Sequence, residues 1–153
     1  MDPEVQGTLL QRARLAAELA YAPYSGFPVG AAALTSDGSI FVGGNIENAS
    51  YGLTICAEQA AISAAVSAGH REILAVAVSA PKVPGTTPCG ACRQFLNEFR
   101  PQSFAMEVVL DDGNSGNVVS LDELLPRAFG PRNLDSGIQE EIPNVETRLD
   151  DGS

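Results

Sequence analysis

The sequence predicts an α/β layered domain, a sheet covered by helices, on three observations: a helical apolar period near the start, a tight hairpin signal, and then helix and strand in alternation. Val5, Leu9, Leu10, Ala13, Ala16, Ala17 and Ala20 recur at three- and four-residue spacing, so residues 4–21 predict an amphipathic helix. Pro23, Gly26 and Pro28 end it. Val29 to Leu34 and Ser39 to Val42 are short apolar segments joined by Ser36-Asp37-Gly38, a hairpin because Asp and Gly accept positive φ. Residues 56–68 are alanine-rich and predict a second helix with Gly69 as its C-cap. The near-continuous apolar run Ile73 to Ala80 is the pattern of a strand covered on both faces. Cys89 to Phe99 predicts a third helix and Phe104 to Leu110 a strand, followed by a turn at Asp112-Gly113-Asn114 and a segment Asn117 to Ser120. Ser120 and Glu123 form a capping box that opens a short helix over Leu121 to Leu125. No internal repeat is present.

Composition narrows the function. A chain of 153 residues suits one domain that buries about 70% of its unfolded surface. No uncharged apolar run approaches the roughly 20 residues that span a bilayer, and Glu4, Arg12, Arg14 and Glu18 interrupt any signal-peptide core. A cytoplasmic protein with no membrane partner is expected. Nine basic residues, only one of them a lysine, face nineteen acidic ones, for a formal charge of −10. Nucleic-acid binding is driven by Lys and Arg displacing counterions, so no nucleic-acid partner is expected. Residues 135–153 hold six acidic residues and one arginine, half the net charge, without aromatics or apolar period. They predict an acidic, disordered tail, leaving 1–134 as the functional domain with a charge near −5.

The chemistry lies in three cysteines. Two segments carry them, Thr54-Ile55-Cys56-Ala57-Glu58-Gln59 and Thr87-Pro88-Cys89-Gly90-Ala91-Cys92-Arg93-Gln94. An odd number of thiols in a reducing compartment favours metal ligation or catalysis over disulfides. The two-residue gap between Cys89 and Cys92 lets both sulfurs reach one tetrahedral zinc, and each segment opens a predicted helix, where the dipole favours thiolate. A structural zinc site closes with four Cys or His ligands, whereas a catalytic one keeps three and leaves a place for water. His70, the one histidine, ends the helix that Cys56 begins, and a rise of about 1.5 Å per residue puts it roughly 20 Å away. It reads as a bystander. Glu58, in the first turn after Cys56, is placed to take a proton from a metal-activated water and return it to a leaving group. A redox dithiol and a non-catalytic zinc module are the alternatives on these residues alone.

From about residue 8 to residue 132 the sequence resembles the cytidine deaminase family, in particular its small homotetrameric members with an all-cysteine zinc site. The resemblance rests on Tyr24-Ser25-Gly26-Phe27-Pro28-Val29-Gly30-Ala31-Ala32, on Gly44-Asn45-Ile46-Glu47-Asn48-Ala49-Ser50-Tyr51, on both cysteine segments, and on Leu124-Leu125-Pro126 with Phe129-Gly130-Pro131. It implies a three-layer αβα sandwich around a mixed five-stranded sheet, one Zn2+ per subunit on Cys56, Cys89 and Cys92, and Glu58 as proton shuttle between water, ring N3 and departing ammonia. Phe27 would pack on the pyrimidine, Asn45 and Glu47 would bond the ribose 3′-hydroxyl, and the Ala57 backbone would contact the base or the activated water. Tyr51 and Phe129 match aromatics near subunit borders, Phe129 closing a neighbour's pocket in a homotetramer with shared sites. The substrate implied is a nucleoside, cytidine or deoxycytidine; the subgroup acting on blasticidin S shares the zinc segments but not the ribose motif.

One position departs. The family's all-cysteine members usually carry Arg directly after the catalytic Glu, and this chain carries Gln59. Zinc with three thiolates sums to −1, and an arginine would withdraw part of that charge by hydrogen bonding. Gln59 and Arg93 are the residues expected to tune the charge of the centre instead.

Overall fold

The computed structural model describes residues 1–134, and the acidic segment 135–153 lies outside the described residues. Helix α1 spans Pro3–Glu18, opened by Asp2, whose carboxylate accepts from the backbone N–H groups of Glu4 and Val5. It ends short of the expected residue 21 because Leu19 has no core to enter, at 86% exposed, while Tyr21 pairs across to Ile46 in an isolated bridge. Strands β1 (Gly30–Thr35) and β2 (Ile40–Gly44) form the expected hairpin, followed by α2 (Ala57–Ser67), β3 (Ile73–Ser79), α3 (Gly90–Glu98), β4 (Glu107–Leu110), β5 (Asn117–Ser120) and α4 (Leu121–Leu124). The fourth strand starts at Glu107, not Phe104, because the ladder with β3 begins with the Ala75–Glu107 pair; Phe104 stays half exposed.

The five strands lie in the order β2-β1-β3-β4-β5. Every neighbour is antiparallel except β3 with β4, so the sheet is mixed, as the resemblance implied. Side chains alternate between its faces. Ala32, Ala75, Ala77 and Val109 pack with Leu9, Leu10 and Ala13 of α1. Ala31, Ala33, Val76, Val78 and Val108 pack on the other side with Ala61 and Ile62 of α2, Leu96 of α3 and Leu121 of α4. The result is three layers, with α1 opposite α2, α3 and α4.

Small residues bring the second layer close. A Cβ on Gly43 in β2 would sit 2.5 Å from the backbone nitrogen of Ala61, so only glycine lets α2 lie this near the strand. No described helix is long and apolar enough to cross a membrane.

Candidate active site

Cys56 and Cys89 are the N-cap residues of α2 and α3, both with extended backbone, and Cys92 is the third residue of α3. An N-cap and the residue three further on face the same side of a helix start, so the two-residue gap delivers Cys89 and Cys92 together. The three sulfurs lie within 4.8 Å of one another. Cys56 Sγ and Cys89 Sγ are 3.9 Å apart, and zinc–thiolate bonds of about 2.3 Å at tetrahedral angles place sulfurs about 3.8 Å apart. The spacing fits one zinc ion.

Such crowding sets the protons against one another. The Cys56 thiol is lowered to about 7, chiefly by its hydrogen bond with Cys92, against burial and the nearby charge of Glu58. Cys92 is pushed up by the same bond and by burial. A divalent cation replaces the thiol protons and removes the conflict. Glu58 sits in the first turn of α2, 4% exposed, and burial raises its carboxyl above the ordinary range. Beside the sulfurs opens a cavity of about 250 Å³ whose wall includes Phe27, Val29, Asn45, Ala57, Glu58 and Val78. An apolar ring, an aliphatic wall and a buried carboxylate next to a cation site can hold a flat polar heterocycle and move a proton on it.

Residues 3–108 match the model of the cytidine and deoxycytidylate deaminase zinc-binding region. The chain belongs to this deaminase family. It is 48% identical over 124 residues to the cytidine deaminase of Halalkalibacterium halodurans, covering 79% of this chain and 91% of that protein. It is 43% identical over 129 residues to that of Mycobacterium tuberculosis, covering 84% and 92%. The crystal structure of the Burkholderia pseudomallei cytidine deaminase superposes with a TM-score of 0.73 at 46% identity, over 80% of this chain and 97% of that one.

Within this deaminase fold, the residues expected at the site fall into three places. Phe27, Asn45 and Ala57 line the cavity with Glu58, Cys56 and Cys89. Ala57 is the first residue of α2, so its N–H has no intrahelical acceptor. Asn45 braces the wall: its Oδ1 accepts from Val29 N–H at 2.9 Å and its Nδ2 donates to the Phe27 carbonyl at 3.0 Å. Glu47 and Tyr51 line an adjoining groove with Tyr24, Ser25 and Thr54. Thr54 borders both spaces. Phe129 lines neither and is 58% exposed.

Gln59 and Arg93, the residues expected to tune the charge of the centre, make hydrogen bonds to the backbone and to a hydroxyl. Gln59 accepts, through Oε1, from the Cys56 N–H at 3.4 Å, completing a capping box at the start of α2. Arg93 directs Nε to the Pro88 carbonyl at 2.8 Å, Nη2 to Thr87 Oγ1 at 3.0 Å and Nη1 to the Leu124 carbonyl at 2.8 Å. The guanidinium steadies the approach to Cys89, because these oxygens surround it on the first turn of α3. Thr54, Thr86 and Thr87 line the cavity although sequence reasoning gave them no role. Their signal was position alone, within three residues before a cysteine in each zinc segment. His70 lies 3.7 Å from Asp37 with its ring against Phe41, at the far end of α2.

Proposed function

We propose that this chain catalyses the hydrolytic deamination of cytidine and deoxycytidine to uridine and deoxyuridine, releasing ammonia, as a pyrimidine-salvage enzyme. The observation that carries the reading is a buried Glu58 beside three converging thiols, at the wall of a cavity lined by Phe27. Cys56, Cys89 and Cys92 hold the zinc. A zinc ion held by them would supply Lewis-acid activation of the attacking water. Glu58 takes a proton from the attacking water and passes it to ring N3. A C4–O bond forms. Glu58 then carries the proton of the new C4 hydroxyl to the amine, the C4–N bond breaks as the C4=O bond forms, and ammonia leaves. Phe27 offers the pyrimidine a flat apolar face, and the Ala57 N–H meets the polar edge. Asn45 and Glu47 bond the ribose 3′-hydroxyl, which makes the nucleoside the substrate and not the free base.

The same reading makes residues 1–134 the catalytic domain, 135–153 a dispensable acidic tail, and the enzyme a cytoplasmic homotetramer with shared sites. Exposed Tyr51, Leu53 and Phe129, at 75%, 67% and 58%, support the assembly, since apolar surface of this kind marks an interface. The test is to incubate purified protein with cytidine, deoxycytidine, cytosine and blasticidin S, following absorbance on loss of the amine and measuring zinc in parallel. Turnover of the two nucleosides, with cytosine spared, is expected. Turnover of blasticidin S alone, or of nothing by zinc-loaded protein, overturns the reading.

A further inference from the structure

The last described stretch of chain is gripped by one face of α3, the helix that carries Cys92. Asn97, 4% exposed, directs Nδ2 to the Phe129 carbonyl at 2.9 Å, and Gln94 directs Nε2 to the same oxygen at 2.9 Å. Two donors satisfy both lone pairs of that carbonyl. The next residue is shaped to permit this: a Cβ on Gly130 would lie 2.6 Å from Asn97 Nδ2. Upstream, Arg93 holds the Leu124 carbonyl. Between the two grips Arg127 adopts a left-handed φ of 54°, reversing the chain. A buried amide is costly without partners, and Asn97 directs its hydrogen bond to the backbone of a residue whose ring stays in solvent.

We propose that Asn97, with Gln94, is a positioning residue for substrate binding. The pair fixes the Phe129 backbone on α3 so that the exposed ring is presented to the nucleoside pocket of a second copy of this chain. The assignment rests on the reading above of Phe129 as the aromatic that closes a neighbour's site. It ties each subunit's metal-bearing helix to the pocket next door, because Arg93, Gln94 and Asn97 belong to the helix that begins at Cys89.

The experiment is a mutant cycle on the zinc-loaded assembly: Gln94→Glu, Asn97→Ala, Phe129→Ala and the pairings of the first two with the third. Kinetics on cytidine are read alongside zinc content, oligomeric state and melting temperature. Gln94 is exposed, so its change to an acceptor leaves the core intact. Each single change at 94 or 97 is expected to raise KM about three- to tenfold, the worth of one hydrogen bond, with kcat and zinc held. In the Phe129→Ala background the same changes are expected to add nothing. If Phe129→Ala raises KM while Gln94→Glu and Asn97→Ala do not, or if their effects multiply with it, the positioning role is wrong. If Phe129→Ala itself leaves KM unaltered, the reading of Phe129 fails, and the proposal falls with it.

Discussion

Arg14 in α1 closes a two-pronged bond on the Asp111 carboxylate just beyond β4, with Nε 2.9 Å from Oδ2 and Nη2 2.6 Å from Oδ1. Ser79 Oγ donates to the same group at 2.7 Å and the Gly113 N–H at 3.0 Å. The node joins the first layer to the ends of β3 and β4. Its backbone carbonyl also accepts from Gly85 N–H at 2.6 Å, which holds the loop leading to Cys89.

That node predicts an acid-sensitive part of stability. The Arg14 bond, aided by Ser79 and Gly113, holds the Asp111 carboxyl at about 2, against about 3.9 in an unfolded chain. A folded pKa below the unfolded one contributes stability that is complete above pH 4 to 5 and is lost as pH falls toward 2. Asp111→Asn is expected to cost about 2 kcal/mol at pH 7. Denaturant titrations of both proteins should draw together between pH 4 and pH 2; a gap as wide at pH 2 as at pH 7 removes the carboxylate from the account.

Glu58 is the group that must move protons in the proposed reaction, and its place in α2 makes a clean variant available. Glu58→Gln keeps the volume and replaces the base by an amide. Cytidine turnover should fall by about 10²- to 10⁴-fold, the usual worth of general acid–base catalysis, with zinc per chain and melting temperature close to wild type. Deamination surviving the change would move the proton-transfer role to another residue.

Zinc also joins two helix starts that otherwise meet through crowded thiols. A site formed only in the folded state stabilises it by about 2.7 kcal/mol at a hundredfold excess over Kd. For a domain of this size that is about 5–10 °C in Tm. Chelation should abolish activity and lower Tm by this amount, and added zinc should restore both in wild type but not in Cys89→Ser. Equal melting of the chelated and zinc-loaded forms would mean that the thiols do not hold the ion.

Much of this site could be read from the sequence, and the reason is local. The positions of Cys56, Cys89 and Cys92 depend on where two helices begin, and Pro88 and the alanine-rich runs mark those starts. Glu58 followed from its distance to Cys56 along one helix turn. What escaped depends on partners that residue type does not encode. Arg93 and Asn97 bond main-chain carbonyls of Leu124 and Phe129, and any residue supplies a carbonyl. The threonines before the cysteines reach the cavity through the placement of two separate loops, which residue type does not encode. The end of α1 and the start of β4 were set by tertiary pairing, at Tyr21 with Ile46 and at Glu107 with Ala75, where periodicity gives no signal.

The groove beside the metal cavity carries the last prediction. Glu47 accepts from the backbone N–H groups of Tyr24, at 2.8 Å, and Ser25, at 3.2 Å, and from the Ser25 hydroxyl. The hydroxyl bond above all keeps its carboxyl below the ordinary range, so it stays an acceptor at neutral pH. Ser25 Oγ in turn accepts from the Phe27 N–H at 3.0 Å, which links the Glu47 carboxylate to the residue whose ring lines the cavity. On the proposed reading, a hydroxyl on the sugar would meet an ionised, oriented acceptor. Glu47→Gln should raise KM for cytidine about tenfold, the worth of a hydrogen bond to a charged group, and should leave KM for 3′-deoxycytidine nearly unchanged because that ligand makes no such bond. Ser25→Ala should raise KM for both nucleosides, since it loosens Phe27 as well as Glu47. An equal response of the two substrates to Glu47→Gln would place Glu47 in the support of the Tyr24–Phe27 loop and leave recognition of the sugar to Asn45.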